Sequence, residues 1–358
     1  MIAFQNRVVL SAAIGLGLAI AATSAARAGL LVGNTEANNI VIFDERTGRF
    51  GGEFIPAKGA FYELNSPDDL TFGQDGNLYI SVGDNTSGAI LRFDGTTGEF
   101  IDRFDQGGML MRPYGTAFGP DGNLYVSSFR SDEILRYSGT TGEFLDVFAA
   151  GTGTANGLNG PNDLLFADNG DLYVTTQGSV ADGTGEISYQ FASQILRYNI
   201  FAPEQGAIVF DEPDVAPNST GFVSLLGLTF GTQNDLIVSD FANAIRRYDL
   251  ATGDLLTEVS SSYPGFMGNV AINPDGNIYT PGFDFLNKNI GGVSRFDADG
   301  NPLPATDESG SIFIPATNNL KRPIGIAYTP AQVPEPSIVF GLVGAAALGW
   351  KVRRKRVS

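Results

Sequence analysis

The 358-residue chain contains neither cysteine nor histidine. Without cysteine no disulfide braces the fold and no thiol nucleophile exists. Without histidine there is no Ser–His–Asp triad, no His–His dyad and no imidazole metal site. The hydrolytic chemistry left open is a metal held by carboxylates. Lysine is scarce: only Lys58, Lys288 and Lys321 precede the C-terminal tail, and none has the motif context of a Ser–Lys pair. Positive charge as a whole is short, 22 Lys and Arg against 39 Asp and Glu, a net of −17. Setting aside the seven bases and one acid of the two ends leaves 15 bases against 38 acids, a net of −23. So acidic a body argues against nucleic acid and anionic membrane surfaces as partners. It suits cations, neutral ligands such as sugars, or simply the solubility of an exported protein. Long apolar runs are missing from the body as well. They occur only at the two ends.

Residues 1–28 read as a signal peptide. Arg7 supplies the positive start, Val8–Ala22 is apolar, and Ala26-Arg27-Ala28 has the small-x-small cleavage pattern. An uncleaved anchor is the alternative, with an apolar run short for a span. At the other end, residues 331–358 form a separate module. Val333-Pro334-Glu335-Pro336 precedes an apolar run, Ser337–Trp350, and a basic run, Lys351–Arg356. Basic residues after an apolar run stay cytoplasmic, which puts the body outside. A terminal apolar helix is expected at each end, with few contacts to the body. The tail over Val333–Arg356 closely resembles the PEP-CTERM sorting signal of exopolysaccharide-producing bacteria. That resemblance implies transient membrane insertion through the apolar helix and removal of the tail by exosortase-type machinery. It also implies a Gram-negative cell envelope or extracellular matrix as destination.

Residues 29–330 are built from one repeated stretch. Its cleanest copy runs from Pro113 to Phe148 and reads as four short strands: Thr116–Phe118, Leu124–Ser127, Ile134–Tyr137 and Phe144–Phe148. Turns at Asp121-Gly122 and Thr141-Gly142 separate them, since glycine accepts positive φ without steric cost. Further copies span Pro67–Phe104, Pro161–Phe210, Leu226–Val259 and Gly268–Leu303. The turn glycines Gly76, Gly122, Gly170 and Gly276 mark the register at spacings of 46, 48 and, across two copies, 106; Asn234 holds that place in the fourth copy. Four strands per unit at this period predict an all-β fold, a β-propeller. Pro323–Tyr328 matches only a first strand and Leu30–Phe54 only the remaining three. Six blades are therefore expected, closed by pairing of the N- and C-terminal strands, which removes the open sheet edges.

In such a ring each first strand lines the central channel. The turns carrying Asp-Gly-Asn and Thr-Gly are alike in every copy and do a structural job once per blade. The loops on the opposite face vary, the longest being Gln177–Ser193, Ala202–Gly221 and Pro281–Gly292, and variable loops are free to carry function. Aligned around the ring, one first-strand position is Gly325, Asp69, Gly115, Asp163, Gly227 and Asn269. Oxygen-bearing side chains alternate with glycine. Three oxygens converging on the axis can hold a hard cation such as calcium. Alternatively they accept backbone N–H bonds or hold water. Arg92, Arg136, Arg197, Arg247 and Arg295 recur before an aromatic and read as blade-to-blade ion pairs or stem packing rather than phosphate ligands. Tyr79, Tyr125, Tyr173 and Tyr279 read as blade core.

The body, roughly Leu30–Tyr328, resembles the NHL-repeat and gluconolactonase-like six-bladed propellers through PxGxxF, DGNLYVS and ILRY. The gluconolactonase-like enzymes bind a divalent metal at the channel mouth through Asn, Asp and Glu. The resemblance carries over Asn162, in Pro161-Asn162-Asp163, and Asp240, in Ser239-Asp240, as further metal ligands beside Asp69, Asp163 and Asn269. The early glutamate of those enzymes has no counterpart in context at Glu36 or Glu63. The leading expectation is an exported, envelope-associated propeller that binds a carbohydrate or protein ligand without catalysis. The alternative is a divalent-metal lactonase or esterase.

Overall fold

The computed structural model describes residues 28–329. Both terminal segments, with the expected helices at Val8–Ala22 and Ser337–Trp350, lie outside the described residues. Among the described residues no helix is long and apolar enough to cross a membrane. The fold is an all-β propeller of six blades. Blade 1 comprises Asp69–Phe72, Leu78–Gly83, Gly88–Phe93 and Phe100–Arg103. Blade 2 comprises Pro113–Phe118, Asn123–Ser128, Glu133–Ser138 and Phe144–Ala150. Blade 3 begins at Pro161–Phe166 and ends at Ile208–Asp211, and blade 4 runs from Leu225–Phe230 to Leu255–Val259. Blade 5 closes with the long strand Ile312–Lys321. In blade 6, Pro323–Thr329 lies antiparallel beside Gly29–Asn34, with Leu31 opposite Ala327, and Asn39–Asp44 and Phe50–Ile55 complete the sheet.

Alternation along the strands explains why the blades stack. Leu31, Ile40 and Ile42 face blade 1, packing with Leu70, Leu78 and Ile80. Their neighbours Leu30, Val32, Val41 and Phe43 face blade 5, packing with Tyr279, Val293 and Phe313. A period of two thus buries both faces of an inner strand. Similar clusters fill the other junctions, and the apolar core runs round the ring. The recurring tyrosines lie in these cores. Tyr79 and Tyr125 stand edge-on to Phe118 and Phe166 of the next blade, each pair 4.9 Å apart. Their hydroxyls donate to the turn carboxylates Asp75 and Asp121 at 3.0 Å, which pins each turn to its blade.

Three details depart from the sequence expectation. Where the recurring arginines form ion pairs, the partners lie within the same blade, not between blades: Arg92 with Asp102 at 2.6 Å, Arg247 with Asp235 at 2.8 Å, and Arg136 with Asp146; Arg295 packs over Phe313 at 4.0 Å, as expected of stem packing. Strands three, four and two of one sheet place these partners side by side, which a linear repeat does not display. Second, Ala202–Gly221 is not all loop, because it contains the outer strand Ile208–Asp211. Third, the strand Ile278–Asp284 runs through Pro281, so the loop it enters is short. The first strand of blade 5 breaks after Met267 and resumes at Ala271.

The first strands share an irregularity that shapes the channel. Register skips between Pro113 and Thr116, between Pro161 and Leu164, and between Leu225 and Leu228. The amides left over belong to Gly115, Asp163 and Gly227. They donate to hydroxyls on the neighbouring strand: Ser127 at 2.9 Å, Thr175 at 3.0 Å and Ser239 at 3.0 Å. The Ser127 hydroxyl donates onward to the Asn162 carbonyl of the next blade at 2.5 Å, and the Thr175 hydroxyl to that of Leu226. One buried hydroxyl thus satisfies an orphan donor and ties two blades together.

Candidate functional site

Two cavities lie along the ring axis, each drawing residues from all six first strands. The mouth cavity, about 520 Å³, is lined by the layer Asp68, Tyr114, Asn162, Leu226, Asn269 and Ile324, together with variable-face loops. The lower cavity, about 390 Å³, is lined by Asp69, Thr116, Asp163, Leu228, Asn269 and Ile326. Consecutive residues of one strand point opposite ways, so Asp68 and Asp69 serve different cavities.

In the lower layer, the alternation of acid and glycine has a mechanical basis. Asp69 Oδ2 accepts from Thr116 N and Thr116 Oγ1 of blade 2, each at 2.9 Å, and from Thr71 Oγ1 at 3.0 Å. Asp163 repeats the arrangement one pair of blades on, its Oδ2 accepting from Leu228 N at 2.8 Å and its Oδ1 from its neighbour Leu164 N at 2.8 Å. Each carboxylate therefore clasps the following blade. The glycines are there for close approach. A Cβ on Gly115 would lie 2.5 Å from Asp163 Cα, and one on Gly227 would lie 2.7 Å from Val270 N. Burial pushes Asp69 above the usual carboxylate range. Burial, then the charge of Asp69, pushes Asp163 well above it. The two carboxylates face one cavity, and the charge of Asp69 acts on Asp163.

The mouth layer is charged differently. Asp68 Oδ2 accepts from Arg112 Nη2 at 2.7 Å, and its Oδ1 from Thr35 Oγ1 at 2.8 Å. Burial raises its pKa against the opposing pull of Arg112. Arg112 Nη1 also donates to the Gly83 carbonyl at 3.1 Å, and its guanidinium lies 5.3 Å over the Tyr114 ring. A second arginine, Arg322, lines the same cavity. Both arginines stand directly before the proline that opens a first strand, with φ of +52° and +47°. At the equivalent place in blade 3 stands Gly160, with φ +61°. Arginine held where glycine is cheapest costs about 1 kcal/mol, so these side chains are kept at a conformational penalty. Aromatic walls complete the mouth: Tyr189 and Phe191 from the blade 3 insertion, then Phe222 and Phe241. Phe241 stacks on Phe266 at 4.7 Å, and Phe285 meets Phe266 edge-on at 4.7 Å. Gln177, Asn162 and Asn269 supply amides.

The expected ligand set does not gather in one place. Asp69, Asp163 and Asn269 share the lower cavity. Asn162 turns instead to the mouth, its Nδ2 donating to the Leu225 carbonyl at 3.2 Å. Asp240 is occupied elsewhere. It binds buried Arg246 at 2.7 Å and accepts from the amides of Ser224 and Ala242, each at 2.9 Å. Asp240 is thus a corner of the blade 4 core, its charge neutralised by the next strand. Glu36 accepts from Asn289 and Glu63 pairs with Lys58 on the surface. Among the described residues, no three Asp, Glu, His or Cys side chains converge as a metal site. Sequence reasoning missed Arg112 and Arg322. The signal was present as Arg-Pro at 112–113 and 322–323, ahead of two first strands only.

No curated protein matches the chain in sequence. In structure the chain is similar to one from the crystal structure of a nidogen/laminin complex, with TM-score 0.57 and 18% identity, covering 85% of this chain and 99% of that one. It is also similar to a protein of unknown function from Bacteroides caccae, with TM-score 0.55 and 12% identity, covering 85% and 99%. These likenesses show the propeller fold. Residues 332–356 match the PEP-CTERM protein-sorting motif, which implies export and membrane-anchored sorting by exosortase-type machinery in a Gram-negative bacterium.

Proposed function

We propose that this is an exported, envelope-associated propeller that binds a small ligand, without catalysis, in the mouth cavity. The observation that carries this reading is the cavity itself. It sits at the variable-loop end of the axis, is about 520 Å³ in volume, and sets aromatic walls beside amides and charged groups. Binding pockets commonly have that size and mixture. The sorting motif supports the location, and the body stands where envelope carbohydrates or proteins are met. The pairing of Pro323–Thr329 with Gly29–Asn34 serves, in this reading, to close the ring and hold the mouth rigid. The test is a fragment screen by ligand-observed NMR on the full chain beside Ser224→Phe. No bond from the Ser224 hydroxyl is lost in that variant, and the new ring intrudes on the cavity. Fragments that bind the parent and not the variant support the reading. Fragments that bind both alike would remove it.

A second reading concerns the lower cavity. Two buried carboxylates on one cavity, the charge of Asp69 acting on Asp163, favour a divalent cation such as calcium between them, with Asn269 as a neutral third ligand. A cation held there would supply the Lewis acid that a gluconolactonase-like lactonase or esterase requires. Calcium added to chelator-treated protein should raise the melting temperature, because a ligand that binds only the folded state stabilises it. Asp163→Ala should abolish the rise. A melting temperature indifferent to calcium and chelator would dismiss the cation.

A further inference from the structure

We propose that the mouth cavity takes a ligand bearing one carboxylate beside an apolar ring face, and that Arg322 recognises the carboxylate. This deepens the binding reading above and rests on it.

The charges lining the cavity are Asp68, Arg112 and Arg322. Asp68 and Arg112 neutralise each other at 2.7 Å. Arg112 is further committed to the Gly83 carbonyl. Among the described residues no carboxylate is in ion-pair contact with Arg322, though its charge also acts on Asp68, so one buried acid serves two arginines inside a body whose net charge is −23. Two lining cations against one acid leave a surplus of one positive charge, which marks a place for an anion from outside and matches a monoanion. The Arg322 Nε is buried and, among the described residues, has no hydrogen-bond partner. Its guanidinium lies 5.9 Å over the rings of both Phe283 and Phe285, which shield it from water on that side. Its backbone is fixed in the left-handed region and tied by its amide to the Asn289 carbonyl at 2.8 Å. The side chain is therefore held ready rather than free to sweep. A guanidinium presents a planar fork that fits a carboxylate with two parallel hydrogen bonds, which an ammonium cannot do.

The rest of the ligand follows from the walls. Tyr189 and Phe222 offer ring faces. Flat apolar surfaces of that kind suit either the C–H face of a pyranose or an aromatic ring. Asn162 and Gln177 stand by for hydroxyl groups. A sugar acid and a hydroxylated aromatic acid share this chemistry, and the experiment separates them.

Isothermal titration of the full chain would use two acid and ester pairs: galacturonate with its methyl ester, and 4-hydroxybenzoate with its methyl ester. In one arm the acid should bind about ten-fold more tightly than the ester. Arg322→Gln should bring the two within about two-fold of each other, the loss of one charged fork. Raising the salt should weaken binding of the acid and leave the ester unchanged, which tests the charge without any substitution. Equal binding of acid and ester, a preference that survives Arg322→Gln, or no binding of either acid would overturn the carboxylate assignment. None of those results touches the comparison with Ser224→Phe, by which the cavity reading itself is judged.

Discussion

The mouth layer and the layer beneath it lie within two residues of each other along the same six strands, yet they treat buried charge in opposite ways. Asp68 at the mouth meets a guanidinium at 2.7 Å, while Asp69 and Asp163 below meet backbone amides, and the charge of Asp69 acts on Asp163. In the upper layer an acid is needed as an acid, because a buried arginine depends on it. In the lower layer the oxygens are needed as acceptors, and the charge is a burden. The same chemical change should therefore have different consequences one layer apart.

The largest effect is expected for Asp68→Asn. It leaves Arg112 buried without its counter-ion and should cost about 3 kcal/mol in urea unfolding. A loss under about 1 kcal/mol would mean that the pair is as weak as an exposed one. Next comes Gly115→Ala, whose Cβ would stand 2.5 Å from Asp163 Cα and 2.7 Å from the Asn162 carbonyl oxygen. Overpacking against backbone should cost about 2 kcal/mol. At Gly122, with φ +78° and open space around it, alanine should cost only about 1 kcal/mol, from the backbone alone. Similar losses at both glycines would show that the channel is looser than these approaches suggest.

A smaller and more diagnostic effect lies in pH. Burial and the charge of Asp69 raise the folded-state pKa of Asp163 above its unfolded value. The folded state then binds more protons than the unfolded state between those two values, so this group's contribution is full below about pH 4 and is lost as pH rises through the folded value. In chelator, the stability of the parent relative to Asp163→Asn should fall steadily as pH rises from about 4. A difference that is flat with pH, or rises, would contradict the raised carboxylate. The turn acids Asp75 and Asp297 are lowered and work the other way, which is why the difference is the quantity to measure. Smallest of all should be Asp163→Asn at neutral pH. Its amide oxygen still accepts one N–H while the charge is gone, and the net change should stay within about 1 kcal/mol.

The fold was legible because each blade repeats its own instructions. Turn glycines at one spacing and alternation in every strand point to the same architecture, and Gly76, Gly122, Gly170 and Gly276 do take positive φ in the structure. The site was legible only in part. The alternation of Asp69, Gly115 and Asp163 can be seen in an aligned repeat, but the partners Thr116 N and Leu228 N come from the following blade and appear only when the strands stand side by side. Asp240 is expected as a ligand from the family resemblance of Ser239-Asp240. The arginine that neutralises it, six residues on, stands where the other blades place Leu91, Leu135, Leu196, Val41 and Ser294, all uncharged. Arg112 and Arg322 escaped notice because attention to a repeat favours what recurs, and a binding site is made from what does not.

The central claim is that the mouth of the ring holds a ligand. The body contains no tryptophan, since the single one in the chain is Trp350. A full chain carrying Trp350→Phe and Tyr189→Trp therefore places a lone fluorophore on the cavity wall. Titrated with the acids above and with fragments selected by NMR, it should show a saturable change in emission that disappears when Ser224→Phe is added. Emission that stays constant while the same compounds still bind would put their site elsewhere and contradict the account.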